Sequence, residues 1–166
     1  MEINTRSEMF TEFHWLPTKD GDKAAYGLMT RHYSHQAYAD GRRQQVGNPN
    51  RFLFCGPGEK MVLVTVDYSA LFVWRKFIDD SGQTGINCAV FRNESQLLAS
   101  DLIKEAEELA WQRWPGERLY TYVNAKKIRS SNPGYCFKRA GWRVCGETKS
   151  NRLLIFEKLP TYEKGD

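Results

Sequence analysis

The side chains of this chain best suited to moving a proton fall in two places. His32, Tyr33 and Ser34 form an H-Y-S run. An imidazole changes charge near neutral pH, which makes His32 a candidate general base or metal ligand, with Tyr33 beside it. Tyr135, in NPGYCFKRAGW, offers a phenol for general-acid work, and Asn124 ends the run LYTYVN, in which Tyr122 stands two residues earlier. Each has a plainer reading. A histidine on the apolar side of a helix is also a hydrogen-bonded core residue, a tyrosine on a two-turn helix is also packing, and Tyr122 on an alternating strand is also core. The long polar segment after His32 weighs toward function, because loops of that length in a compact domain usually serve one or move.

A second set suits a phosphate or a base. Arg42, Arg43 and Arg51 lie in the loop 34–51, SHQAYADGRRQQVGNPNR, and Arg75 and Lys76 end a neighbouring strand. Scattered charge is usually a solvated face; this concentration also reads as a phosphate track. Asn87 and Arg92 sit in INCAVFRNE, where a polar side chain inside a strand needs a partner or a ligand. Tyr33, Tyr38 and Trp74 are the aromatic surfaces that an extruded base would stack on.

The elements that must position these residues follow from periodicity. MFTEFHW has near-alternating aromatics and predicts an edge strand ending at Pro17, and Asp20-Gly21-Asp22 supplies a turn and a helix N-cap. From Ala25 the apolar residues step at helical spacing through Leu28 and Met29, and the same face extended reaches His32 and Tyr33. The runs FLFCG, KMVLVTVD, ALFVWRKF and INCAVFRNE, separated by short turns, predict an antiparallel meander. Leu98, Leu102, Ile103, Ala106, Leu109 and Ala110 make one helical stripe, with Lys104, Glu105, Glu107, Glu108 and Arg113 on the water side and Pro115 as the stop. Then come a strand at Leu119 to Val123, a short helix opened by Asn132-Pro133-Gly134 and ended by Gly141, a strand from Trp142 to Cys145, and a last strand in RLLIFEKLP.

The totals set bounds. At 166 residues the chain suits one domain, residues 1–160, with 161–166 a frayed tail. No apolar run approaches bilayer length and MEINTRSEMF lacks a signal-peptide core, so the expectation is a cytoplasmic protein without a membrane partner. The four Cys have neither C-x-x-C pairing nor zinc-like spacing with the three His, which predicts free, mostly buried thiols. A net charge of +4 permits a polyanionic partner without demanding one.

The strand, short helix ending FKRAGW, and return strand resemble the C-terminal half of the GNAT superfamily of N-acetyltransferases, where a Y-x-x-x-G-F/W segment follows the fifth strand. The resemblance implies an α+β domain with a mixed central sheet. Its fourth and fifth strands, here Ile86 to Arg92 and Leu119 to Val123, run parallel and splay apart beyond a right-handed helical crossover. In that superfamily a glycine-rich loop after the fourth strand holds the pyrophosphate of acetyl-CoA. Here the loop reads FRNESQLLASD, with no glycine, which argues against acetyl-CoA, although Ser95 or Ser100 could still cap a helix whose N-terminus takes an anion.

The phage Mom-like branch, which modifies adenine in DNA, lacks that glycine loop too. It is similar to this chain over roughly residues 25–148, in His32-Tyr33-Ser34, in Asn93-Glu94-Ser95 with Ser100, in Tyr120 to Asn124, and in Gly134-Tyr135 through Trp142. Asn124 stands where that branch tends to carry Asp, and Arg92 replaces part of a more acidic strand.

The resemblance implies a DNA-modifying transferase leaving a carbamoylmethyl-type group on the exocyclic amine of adenine. It makes His32, Tyr33, Tyr135 and Asn124 the catalytic group. Ser34, Arg42, Arg43, Arg51, Trp74, Asn87, Arg92 and Tyr122 would bind substrate, and Asn93, Ser95 and Ser100 the cofactor. The donor is left open, and iron is a candidate by resemblance alone. Two other classes stay in play: an acyl-CoA-dependent N-acetyltransferase acting on a small amine or a protein, and a non-catalytic phage or mobile-element binding protein.

Overall fold

Three tryptophans hold a sheet against one long helix, and the rest of the architecture is arranged around that contact. The computed structural model describes residues 13–31, 52–78, 80–127 and 132–161. In chain order its elements are β1 (Leu16–Thr18), α1 (Lys23–Thr30), β2 (Glu59–Val64), β3 (Ala70–Lys76), β4 (Ile86–Asn93), α2 (Ala99–Arg113), β5 (Leu119–Val123), α3 (Tyr135–Arg139), β6 (Arg143–Glu147) and β7 (Leu154–Lys158). All seven strands join one sheet in the order β1-β2-β3-β4-β5-β7-β6. β4 and β5 are parallel and every other pair is antiparallel. A single α+β domain is therefore what the described residues form, and no helix among them is long and apolar enough to cross a membrane.

α2 lies on one face, with Leu102, Ile103, Ala106 and Ala110 buried. Indole N–H groups fix it: Trp15 donates to the Leu102 carbonyl at 2.8 Å, Trp74 to the Ala106 carbonyl at 2.9 Å, and Trp142 to Glu107 at 3.0 Å. The expectation that Glu107 faces water is corrected here. It is 2% exposed and pairs with Lys158 at 2.5 Å, because β7 passes beneath it with a cation to offer. On the other face α1 packs Ala25 and Leu28 with Val62, Val64, Leu71, Val73 and Val90. Asp22 is its N-cap, accepting from the backbone N–H groups of Ala24 and Ala25.

β4 is where the two faces exchange. Val73 pairs with Val90 but Trp74 with Cys88, so Ala89 is an extra residue, a bulge. Ile86 and Cys88 point into the core under α2, Val90 points to the α1 side, and Phe91 returns to the α2 side. A bulge bends its strand, and the parallel pairing with β5 stops at once: only Ile86↔Leu119, Asn87↔Tyr120 and Cys88↔Thr121 are paired. The parallel orientation of β4 and β5 is as expected, and beyond Cys88 and Thr121 they are not paired.

Four boundaries differ from the sequence reading. β1 begins at Leu16 and contains Pro17, which is tolerated because β1 is the sheet edge. FLFCG is not a strand; Asp20 accepts from the N–H groups of Phe54 and Cys55, leaving that run as a loop packed on α1. The short helix starts at Tyr135, with Pro133 outside it, because Gly134 is the N-cap in a left-handed conformation (φ 75°). β6 is shifted past Trp142, whose indole is committed to α2.

Candidate functional site

The pairing of β4 with β5 ends at Cys88 and Thr121. There the Thr121 hydroxyl donates to the Cys88 carbonyl at 2.8 Å. The Cys88 thiol beside it is pushed well above its ordinary range by burial. α3 is anchored on β4 by Phe137, which meets Phe91 edge-on at 6.2 Å, and Tyr135, two residues earlier, is 55% exposed.

The loop after β4 is tied to itself. Asn93 accepts from both the N–H and the hydroxyl of Ser95, Ser95 in turn accepts from the Leu97 N–H at 3.1 Å, and the Asn93 amide donates to the Leu97 carbonyl at 2.8 Å. The donors a pyrophosphate would need are thus already occupied at Ser95 and Leu97. Ser100 is buried in the first turn of α2. Asn93, Ser95 and Ser100 therefore do not fit a pyrophosphate cradle. Glu94 is held below the usual carboxylate range by its hydrogen bond from Arg31, with bonds of 2.6 and 3.0 Å, and Arg92 adds a third at 3.1 Å. Arg31 is the C-cap of α1, so this bridge ties the helix that leads into residue 32 to the end of β4.

His32, Tyr33, Ser34, Tyr38, Arg42, Arg43 and Arg51 lie outside the described residues. The others have definite places. Asn124 shapes a turn: its side chain accepts from the Lys126 N–H and its carbonyl from the Lys127 N–H, both at 3.1 Å. Tyr122 is half-buried beside Tyr120, its hydroxyl bonded to Ser81. Asn87 is 4% exposed with its carbonyl oxygen unpaired among the described residues, as is the Nε of Arg75, its cross-strand partner.

Trp74 is a correction. It is fully buried and stacked on Trp142 at 6.2 Å, and a ring so placed cannot receive a base. Arg75 and Lys76 also leave the phosphate track, since Arg75 donates to the Cys55 carbonyl and covers Phe77, and Lys76 pairs with Glu117 at 3.5 Å.

The sequence reading passed over a second concavity, of about 620 Å³, on the β1 side of the same loop; His14, Leu16, Asp67 and Leu97 are among its walls. His14 is turned there by Glu105 of α2, which accepts its backbone N–H at 2.7 Å and lies 2.9 Å from its Nδ1. No signal in MFTEFHW separates this histidine from the aromatics around it.

Among the described residues no three His, Cys, Asp or Glu side chains converge as metal ligands, so these residues do not fit an iron site. No protein-family model, curated protein or solved structure matches the chain.

Proposed function

We propose that this protein is a GNAT-like group transferase that modifies the exocyclic amine of adenine in DNA, with the cleft between β4 and β5 as its reaction site. The observation that carries the reading is the parallel strand pair whose pairing ends after three residues, at the Ala89 bulge, within the strand order β1-β2-β3-β4-β5-β7-β6. Beyond Cys88 the edge of β4 that faces β5 makes no strand pairing, and an extended donor laid between the strands would meet that edge.

Within this reading the amine nitrogen attacks the donor carbon, the leaving group departs with its electron pair, and His32 takes the proton the amine releases. Tyr135 donates a proton to the leaving group. DNA modification is preferred to acetyl transfer because the loop after β4 has no glycine and spends its Ser95 and Leu97 donors on itself. Mass analysis of nucleosides from plasmid DNA of cells producing the protein tests the proposal. A new species derived from deoxyadenosine supports it, and ordinary nucleosides alone would refute it.

One observation favours the acyl-CoA reading: the N-cap of α2 is Leu98, whose side chain accepts no hydrogen bond, although the Asp101 N–H is already taken by the Leu98 carbonyl. Calorimetry with acetyl-CoA separates the two.

A further inference from the structure

The chain's positive charge is segregated. Of its 24 Lys and Arg and 20 Asp and Glu, residues 119–153 hold eight and one, a net +7 that leaves the remainder at −3. Outside this stretch several cations are matched to carboxylates, as in Arg31–Glu94, Lys60–Asp20, Lys76–Glu117 and Arg113–Glu59. Inside it Arg143 is held by Glu157 and Lys138 by Asn132. Lys126, Lys127, Arg139, Lys149 and Arg152 are exposed and make no ion pair among the described residues.

Four of these five share one end of the sheet. Val123 pairs with Leu154, and Leu154 with Glu147, so the exit of β5 and the β6–β7 turn lie side by side, about 10 Å apart across two strand spacings. Both are built to hold their cations outward. Asn124 forms the turn that carries Lys126 and Lys127. Thr148 closes the other turn, exchanging bonds of 2.9 Å with Leu153, and carries Lys149 and Arg152. Arg152 stands at φ 51°, a conformation that glycine or asparagine adopts more readily, so an arginine here is kept at a local cost.

We propose that this edge, Lys126, Lys127, Lys149 and Arg152, grips the phosphate backbone of duplex DNA and delivers it to the adjoining cleft. The identity of the partner as substrate rests on the function proposed above; the binding surface stands on the charge distribution. Duplex DNA is preferred to an anionic membrane because, among the described residues, neither turn exposes a large apolar side chain to insert into lipid.

The test is fluorescence anisotropy with a labelled duplex of about 20 base pairs over a salt series, with anionic phosphatidylserine vesicles as a parallel arm. Four phosphate contacts predict a slope of log K against log salt near −3.6, at about 0.9 per contact. The variant Lys126→Glu/Lys149→Glu, with Arg152→Asn to suit the turn, should bind at least about tenfold more weakly with a slope shallower by about 3, its far-UV spectrum unchanged. Lys19→Glu/Lys104→Glu, placed elsewhere, should stay within about twofold of wild type. Equal losses in both variants, no duplex binding by wild type, or tighter binding to vesicles than to the duplex would each overturn the proposal. Nucleoside analysis separates the two claims. Modified DNA with unimpaired binding in the charge-reversal variant defeats this inference alone, while charge-dependent binding without modified DNA defeats the function alone.

Discussion

Trp142 and Glu107 meet in the core at 3.0 Å, an indole N–H on a carboxylate whose other oxygen is held by Lys158. This triad joins α2 to the return strands on the far side of the cleft. Burial outweighs its donors and pushes the Glu107 carboxyl above its ordinary value. Glu107→Ala leaves the Lys158 ammonium with the Ala140 carbonyl and takes the acceptor from Trp142, and stability should fall by about 2–3 kcal/mol in urea unfolding. Glu107→Gln keeps an acceptor for Trp142 and should cost less. Equal stability of Glu107→Ala and wild type would remove the triad from the account.

Gly134 sets α3 against β7. A Cβ there would sit 2.4 Å from the Phe156 ring at a φ of 75°, whereas Gly82, at φ 74°, has nothing within 4 Å. Gly134→Ala should therefore cost about 2–4 kcal/mol, a left-handed penalty plus overpacking, and Gly82→Ala only about 1. Thermal melts of the two variants compare them directly, and matching Tm values would mean that α3 yields freely.

Glu157 bridges Arg118 at 2.8 Å and Arg143 at 2.6 Å, and these guanidinium partners, Arg118 first, hold its pKa below the ordinary 4.5. A carboxylate depressed in the folded state adds stability that is fully present above its unfolded pKa and is lost as pH falls through the folded one. Stability should thus decline below about pH 4.5, and Glu157→Gln should flatten that limb while lowering stability at pH 7. An unchanged acid limb in urea titrations would contradict the assignment.

Acetyl-CoA should bind weakly or not at all by calorimetry, because Asn93 and Ser95 consume the loop's donors. A micromolar dissociation constant would favour the acyl-transfer reading.

Much of this fold is legible in sequence. The α2 stripe and the β-crossover-β order follow from periodicity, and the parallel pairing of β4 and β5 follows from the resemblance. The bulge in β4 does not. It is hidden because INCAVFRN alternates acceptably in either register, and only the pairing with β3 shows the slip at Val73 and Trp74. Glu107 and Trp74 were misplaced for one reason: helical and strand periodicity reports a face, but not the partner that waits beneath it. FLFCG has strand composition, yet Asp20 takes its N–H groups from the sheet. At the candidate site the residue types were readable and their duties less so. Asn124, read as a stand-in for a catalytic carboxylate, builds a turn for two lysines.

The reaction is tested most directly by the fraction of deoxyadenosine converted in plasmid DNA from cells producing wild-type protein or His32→Ala, measured by nucleoside mass analysis beside the Tm of each purified protein. The account predicts a heavier deoxyadenosine species with wild type, none with His32→Ala, and Tm values within about a degree or two, since replacing a histidine that serves the reaction rather than packing costs little stability. Conversion by His32→Ala at the wild-type level, or ordinary nucleosides from both, would contradict it.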